Sequence, residues 1–394
     1  MPSLDALPIP TQTSAVGQSH RWLSLDVLRG LTIAFMIMVN NNGDSSRAYW
    51  ALQHADWNGC TPTDIVFPTF LFLVGISTVL SVNARLAKGA TKKSILLHTI
   101  RRAVILFLLG LLVNNFPLFD LHTLRVYGVL QRIAICYFIV SLLYLANPSW
   151  KNKAVIAFAA LVSYWVLMRF VPVPGYGVPT HQAPMLDRNG NLASWLDRQI
   201  FSASHLYEET SDPEGLLSTL PAVATTLFGT LAGIWICTNK SIAQKAKAIA
   251  WAGLSGLVLG GIWNFEFPIN KNLWTSSYVL YASGWSLLLL ALSIWIVDMR
   301  GAHKPDPARR RLYTPFLVLG TNAIAAYLFS ELLPGVLSPI HPQPTVNLLW
   351  WFYFKLLGVI GYPPVASLLF SICFLAVCWL PMYLLYRRRI FLKI

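Results

Sequence analysis

The sequence predicts an all-α polytopic integral membrane protein: a helical bundle of about ten transmembrane helices plus one interfacial or re-entrant helix. Three observations predict it. The apolar residues, 55% of the 394, fall in runs of about twenty, long enough to cross a hydrocarbon core of about 30 Å as helices. Only 12% of residues are charged, against roughly 25% in soluble domains. Lys and Arg gather in alternate connections between the runs. The alternating pattern of a membrane barrel is absent, and helices can face lipid because they satisfy their own backbone hydrogen bonds.

Ten runs read as spans. They are Leu23–Val39, Ile65–Val82, Ala103–Val113 with its flanks, Val126–Leu145, Ala154–Val171, Leu220–Cys237, Ala248–Trp263, Tyr278–Val297, Phe316–Leu333 and Ala366–Tyr386. One more apolar stretch, Val346–Ile360, is aromatic-rich, carries Lys355 and is short for a span. It reads as an interfacial or re-entrant helix.

Basic residues orient the bundle. The Asn83–Arg102 connection holds Arg85, Lys88, Lys92, Lys93, Arg101 and Arg102. Lys151 and Lys153, then Lys240, Lys245 and Lys247, then Arg300, Lys304, Arg309, Arg310 and Arg311, and finally Arg387, Arg388, Arg389 and Lys393 mark the same side. The other side carries only Arg47, Arg125, Arg188, Arg198 and Lys271. The positive-inside rule then places both termini in the cytoplasm and requires an even number of spans. The expected location is a bacterial inner membrane. The first twenty residues, polar and without an apolar core, read as a disordered cytoplasmic tail. Residues 21–394 read as one transmembrane domain with a long periplasmic loop at 172–218, a length usual for functional or disordered loops.

The net charge of +14 is accounted for by topology, so no nucleic-acid partner is expected. The five cysteines form no CxxC pair, and four lie in apolar runs. Neither a disulfide framework nor a metal site is implied. No phosphate-cradling glycine loop or nucleophile elbow is present.

Chemistry is sought among polar residues at membrane depth, which are costly unless they face the bundle interior or a wet cavity. Asp26 and Arg29 lie three apart on one helix face and can pair. They read either as a structural ion pair near the inner interface or as part of a donor-binding mouth. The first span ends in VNNNG, giving the clustered amides Asn40, Asn41 and Asn42. The connection continues to QHADWNGCTPTDIVFP, with His54, Asp56, Trp57, Asn58 and Asp64. A loop histidine is usually only solvated. Beside amides and carboxylates it is the side chain best suited to exchange protons near neutral pH, and an amide NH₂ can donate to a developing oxyanion. Asp56 or Asp64 is expected to orient His54, and spacing does not choose between them. Asn114, Asn115, Tyr127, Gln131 and Arg132, and Asn264, Glu266, Asn270, Lys271 and Asn272, are candidates for a common outer vestibule. Asn322 and Glu331 are further candidates for the bundle interior.

At these residues the sequence resembles the heparan-alpha-glucosaminide N-acetyltransferase family of transmembrane acyltransferases, in a shorter bacterial form. The matching segments are SLDVLRGLTIAFMIMVN, HADWNGCTPTDIVFP, YGVLQRIAICYF, DPEGLLSTLP, PINKNLWTSSYVLY and RRRIFLKI. They run from Ser24 to Ile394, and the first three together are specific. The resemblance implies transfer of acetyl from cytoplasmic acetyl-CoA, a co-substrate, across the membrane to the amine of a glucosamine sugar. The family's catalytic histidine in H-A-x-W-N-G falls on His54, and its active-site asparagine after V-N falls on Asn40. The connection between them is longer than in the animal enzyme, and that enzyme's large lumenal N-terminal region has no counterpart here. Free glucosamine or another amino sugar is therefore the expected acceptor.

The expected site is thus His54, Asn40 and Asp64 as catalytic residues. Asn41, Asn42, Trp57, Asn58, Gln131, Arg132, Glu266, Asn270 and Lys271 are expected around the acceptor, and Arg29, Arg101 and Arg102 at the CoA phosphates. Expected partners are the amino sugar, acetyl-CoA, the lipid bilayer and a second copy in a homodimer. The alternative is a sugar or amino-sugar transporter without acyl-transfer chemistry, which the same architecture would serve. Paired broken helices in two matching halves would favour it. A single cysteine at position 393 should stay unlabelled by an impermeant thiol reagent added outside intact cells; labelling from outside would reverse the orientation.

Overall fold

The computed structural model describes residues 22–180, 183–299 and 307–392. The tail 1–20 and the basic residues Arg300, Lys304 and Lys393 lie outside the described residues, and Arg309 and Arg310 are described by backbone alone. Nine helical segments among the described residues are long and apolar enough to cross a membrane. They are built on α1 (Leu23–Asn40), α2 (Val66–Ala87), α3 (Lys92–Asn115), α4 (Val129–Ala146) and α5 (Trp150–Phe170). After a short loop helix α6 (Leu192–Ile200) come α7 (Thr219–Ile236), α8 (Ile242–Trp263) and α9 (Ser276–Ser293); the last spanning helix is α13 (Pro363–Arg387). A tight turn at Thr63–Ile65 leads into α2, and α9 runs on through a π-helical segment, Ile294–Met299.

The ninth predicted span is not one continuous helix. It is α10 (Pro307–Thr321) and α11 (Ala323–Leu337), which meet at 77°. Taken as one bent span they bring the number to ten. The break falls at Asn322, whose φ of −125° and ψ of 39° are not helical. Its side chain bonds to the chain beyond α13. Nδ2 donates to Ile390 O (3.1 Å), and Leu392 N donates to Oδ1 (2.9 Å). The polar amide thus ties the chain beyond α13 to the bend. Elsewhere the predicted spans hold, with ends set by local chemistry. The third is longer than expected because Thr91 caps it, accepting from Ser94 N (3.2 Å). The last starts at Pro363, a residue suited to the first helical position because its missing N–H has no intrahelical acceptor there.

The aromatic stretch is a separate helix, α12 (Leu348–Ile360), of 13 residues. Asn347 caps its start by accepting from Trp350 N (3.0 Å), and Gly361 ends it at a φ of +71°. It connects α11 to α13 without crossing. Glu331 of α11 meets Asn40 at the end of α1, and Ser367 near the start of α13 donates to Asp44 O (3.1 Å), just past the same end. Tyr353 of α12 packs on Gly43 between them.

Opposite ends of the bundle are therefore distinct. At one, Ser24 N meets Asp298 Oδ1 (3.4 Å) and Asn322 meets the chain beyond α13. The beginning of α1 and the end of α13 share that end. At the other lie the 41–65 connection, the 264–275 connection, the 171–218 loop and α12.

Two close crossings set the helices. A Cβ on Gly30 would stand 1.7 Å from Phe316 O, and one on Gly320 would stand 1.9 Å from Asp26 O. A Cβ on Gly75 or Gly229 would likewise reach the backbone of Thr226 or Phe72 within 2.0 Å. Lipid offers no hydrophobic drive between helices, so such small-residue contacts carry the packing. Gly30→Ala and Gly320→Ala should each lower the thermal unfolding midpoint in detergent, at a cost of about 1–3 kcal/mol from overpacking. Gly261→Ala, whose Cβ would meet nothing within 4 Å, is the control and should leave the midpoint unchanged or higher.

Candidate active site

The 41–65 connection is folded back on α1 by its own amides. Asn41 Nδ2 donates to Ile37 O (3.2 Å), and Asn42, buried, donates to Leu52 O (3.3 Å). These bonds bring His54 over the head of α2, where Asp64 sits in the entry turn, 1% exposed. Asp64 Oδ1 lies 2.7 Å from His54 Nδ1. Asp64 Oδ2 accepts from Ala55 N (3.0 Å), Thr61 N (2.9 Å) and Thr61 Oγ1 (3.0 Å). The helix N-terminus behind it favours negative charge. An ionised carboxylate can only accept, so the contact assigns a proton to Nδ1 and leaves Nε2 as the accepting nitrogen, 3.3 Å from Lys271 Nζ. The His54 side chain is half exposed, at 51%.

The 264–275 connection carries the third charged group. Asn264 Oδ1 accepts from Ile269 N (2.8 Å), Asn270 Oδ1 accepts from Leu273 N (2.9 Å), and Thr275 Oγ1 accepts from Asn270 N (3.0 Å). Thus stiffened, it docks on the His54 loop through Gly59 N to Ile269 O (2.7 Å) and Asn270 Nδ2 to Asn58 Oδ1 (3.1 Å). Lys271 Nζ then stands 3.0 Å from His54 Nδ1, 3.3 Å from Nε2 and 3.9 Å from Asp64 Oδ1. Burial pushes the Lys271 pKa below its ordinary value, against the opposing pull of Asp64 and Glu214. Nearby Cys60 is held inert: burial, with the Asp64 charge, pushes its thiol up to about 12, far from the thiolate a nucleophile needs near neutral pH.

Asn40, exposed at the last turn of α1, donates from Nδ2 to Glu331 Oε1 of α11 (2.9 Å). A buried ionic roof stands nearby. Arg125 donates from Nε and Nη2 to both oxygens of Asp212 (2.8 and 2.7 Å) and from Nη2 to Glu214 Oε2 (2.5 Å). Burial works against the Glu214 charge, but Arg125 and Arg132 outweigh it and hold its pKa low. This fork of donors on carboxylates is the strong form of ion pair, and it fastens the 171–218 loop to the 116–128 connection. Trp57 is pinned beneath the same loop. Its Nε1 donates to Leu186 O (2.7 Å), and the Arg188 guanidinium lies 5.0 Å above its ring.

The structure sorts the candidates. It selects Asp64 over Asp56 as the partner of His54, since Asp56 is 98% exposed and faces Arg188 at 3.0 Å. It brings His54, Asp64 and Lys271 together, with Asn58 and Asn270 as their scaffold. Glu266 stands apart, 3.5 Å from Arg169 Nε. Asn41 and Asn42 have their amide donors on backbone carbonyls. Arg132 is fully buried, donating from Nη2 to Gly215 O (3.1 Å) and to Ser218 Oγ, with its guanidinium over Trp274. Its Nε and Nη1, and both polar atoms of the neighbouring Gln131, are buried without a protein partner. Arg29, Arg101 and Arg102 lie toward the opposite end. Arg29 pairs with Asp26 (3.1 Å) and donates to Ser77 Oγ (2.8 Å). Arg102 lies 4.9 Å from the Tyr137 ring. The roles of Arg125, Asp197 and Glu214 were not anticipated. The only sequence signal was an acidic cluster beside Pro213, within a segment that carried the resemblance.

A histidine–aspartate pair and a glutamate-bound amide lie at one end of a polytopic helical membrane bundle, with Arg29, Arg101 and Arg102 toward the other. A family model described as "Heparan-alpha-glucosaminide N-acetyltransferase, catalytic" matches residues 21–261. The chain belongs to the heparan-alpha-glucosaminide N-acetyltransferase family. It is 31% identical to heparan-alpha-glucosaminide N-acetyltransferase of Mus musculus over 388 residues, covering 84% of this chain and 56% of that protein. To the Homo sapiens protein of the same name it is 29% identical over 381 residues, covering 83% and 55%. The chain spans about half the length of the curated relatives it matches.

One loop group supplies a pH test. Asp197 of α6 accepts from Leu216 N (3.0 Å) and is 1% exposed. Burial, aided by the Asp212 charge, pushes its carboxyl from 3.8 up to about 6. A raised pKa means that the folded state holds a proton the unfolded chain has released. The stability this contributes is complete below 3.8 and lost as pH rises through about 6. Asp197→Asn, permanently neutral, should abolish that dependence. Thermal midpoints across the window should fall for the wild type relative to the variant, and parallel curves would refute the assignment.

Proposed function

We propose that this chain is a transmembrane acetyltransferase that moves an acetyl group from cytoplasmic acetyl-CoA to the amine of a glucosamine-type sugar on the outer side. His54 is its general base. The observation that carries the reading is the His54–Asp64 contact at 2.7 Å, which makes Nε2 the proton-accepting nitrogen, in a chain of this family. Both termini are then cytoplasmic in a bacterial inner membrane, residues 21–394 form one catalytic domain, and 172–218 form a periplasmic loop.

The chemistry follows from the geometry. A protonated amine cannot attack a thioester, so His54 Nε2 takes the proton. Asp64 holds the imidazole in the right tautomer and balances the imidazolium that forms. As the nitrogen bonds to the acetyl carbon, the carbonyl pair moves onto oxygen, and the second N–H of Asn40 Nδ2 donates to that oxyanion. Collapse breaks the carbon–sulfur bond, and the CoA thiolate leaves and takes up a proton. Trp57, Asn58, Asn270 and Lys271 flank the acceptor.

The donor must reach this end from the other. Arg29, Met36 and Asn40 are spaced seven and four residues apart, so they lie along one face of α1, over about 16 Å of rise. A small apolar hollow lined by Met36, Phe67, Phe70, Ile133, Ile324 and Tyr327 lies on that route. The pantetheine arm is proposed to follow this α1 face, with Arg29, Arg101 and Arg102 toward the CoA phosphates. A transporter is less well supported. Broken helices in two matching halves are its mark, and the described residues hold one bent pair.

His54→Ala should cut acetyl transfer from labelled acetyl-CoA to glucosamine by about 10²–10⁴-fold, the usual contribution of a general base. Saturable acetyl-CoA binding should survive. Asn40→Ala should slow the chemical step by about 10²–10³-fold as an oxyanion donor. Near-wild-type turnover by folded His54→Ala protein removes His54 from the mechanism, and transport of unmodified glucosamine by that variant would install the transporter in its place.

A further inference from the structure

We propose that Glu331 is the acceptor-selecting residue of this site: its carboxylate receives the protonated amine of the sugar and holds it for His54. This rests on the acetyltransferase reading and names the group within it that recognises an amine.

Glu331 lies in the second half of the bent span, where α11 returns to the end of the bundle that carries His54. A carboxylate in a membrane helix is costly unless it is paired or faces a wet cavity. Glu331 is half-buried, and its contact is Asn40 Nδ2 at 2.9 Å. Among the described residues it makes no ion pair with a Lys or Arg. The other acids of this end are committed. Asp64 is filled by His54, Ala55 and Thr61. Asp212 and Glu214 share Arg125. Glu331 is thus an acid at this end that has no cationic partner among the described residues.

Its surroundings fit a cationic ligand. Asn40 is exposed, so the Asn40–Glu331 pair borders space that a ligand can enter. Tyr327, four residues before Glu331 and on the same face of α11, lies within electrostatic reach of both Glu331 and Glu214. Glu214 in turn acts on Lys271. Asn40, which Glu331 holds, ends α1 and leads into the connection that carries His54, so Glu331 lies at the same end of the bundle as the Lys271 and His54 cluster. One carboxylate oxygen fixes Asn40, and the other is free for an ammonium. A hydroxyl at the same place brings no charge to balance the carboxylate. The seat therefore selects a primary ammonium, as in 2-amino-2-deoxy sugars, over the corresponding neutral sugar.

Glu331→Gln separates charge from geometry. The amide oxygen still accepts from Asn40, while the negative charge is gone. Equilibrium binding of glucosamine and of glucose is measured on the full-length protein in detergent, wild type and E331Q, with acetyl transfer to glucosamine assayed in parallel. We expect the wild type to prefer glucosamine and E331Q to lose about 10–100-fold of that preference, the scale of a hydrogen bond to a charged group. The loss should appear in the glucosamine KM. A wild-type preference that E331Q retains overturns the proposal, as does a wild type without preference. A preference lost in E331Q, in a wild type that transfers no acetyl group, sustains the amine seat and overturns the acetyltransferase reading instead. If Glu331 only positions Asn40, E331Q keeps a wild-type KM while Glu331→Ala slows transfer, and the proposal also fails.

Discussion

A single buried carboxylate organises the active end. Asp64 accepts from two backbone amides, one hydroxyl and one imidazole, and these come from positions 54, 55 and 61. The loop closes around the charge because a desolvated carboxylate needs every lone pair satisfied. Tyr278 of α9, donating to Asp64 O (2.5 Å), locks the same turn from behind. His54 owes both its place and its tautomer to Asp64. Lys271 owes its place to the Asn58–Asn270 bond that ties its loop to the same structure. Loss of the Asp64 charge would leave Lys271 and the four donors facing an uncompensated site, which is why a broken buried ionic cluster costs more than the intact one contributes.

The rest of the bundle brings a second group of residues to that carboxylate. α1 must carry Asn40 to the right level, and its height is set by the Gly30–Gly320 crossing on α10. The 77° bend then lets α11 leave the direction of α10 and return beside Asn40. A straight helix through Asn322 would carry Glu331 elsewhere. The amide at the bend and the carboxylate in the helix that follows are therefore linked: Asn322 anchors the break to Ile390 and Leu392, and Glu331 lies on the helix that the break redirects. Tolerance of a polar break at membrane depth is expected only where protein or water covers it, and the chain beyond α13 covers this one.

The spans were legible because twenty apolar residues leave few alternatives, and α12 was legible as non-crossing because thirteen fall short of a bilayer. The bend was not. Asn322 reads as one amide in an apolar run, and the groups that satisfy it lie 68 and 70 residues away. The choice between Asp56 and Asp64 was hidden for a related reason. Both are near His54 in sequence, but only the turn at the head of α2 buries one of them. Gln131 and Arg132 were legible as unusual, since a charge at membrane depth always is. Their burial under the 171–218 loop was not, because a loop rich in Pro, Gly and acids has no period from which to read its docking.

Charge at the active end is distributed unevenly, and this gives the site a direction. On the His54 side, Lys271 and the histidine face Asp64, with Glu214 shared between Lys271, Arg125 and Arg132. That side is close to balance. On the Asn40 side, Glu331 has an amide and, among the described residues, no cation. On the proposed reading, a cationic acceptor would be drawn to Glu331 and repelled by Lys271, which orients its nitrogen toward Asn40. Coulomb interactions of this kind are strong only where water is thinned, and the roof formed by Arg125, Asp212 and Glu214 supplies that cover. The outer loop, held by Arg125 to Asp212 and Glu214, and the bent helix, held by Asn40 to Glu331, thus set the charges of this end from two separate parts of the fold.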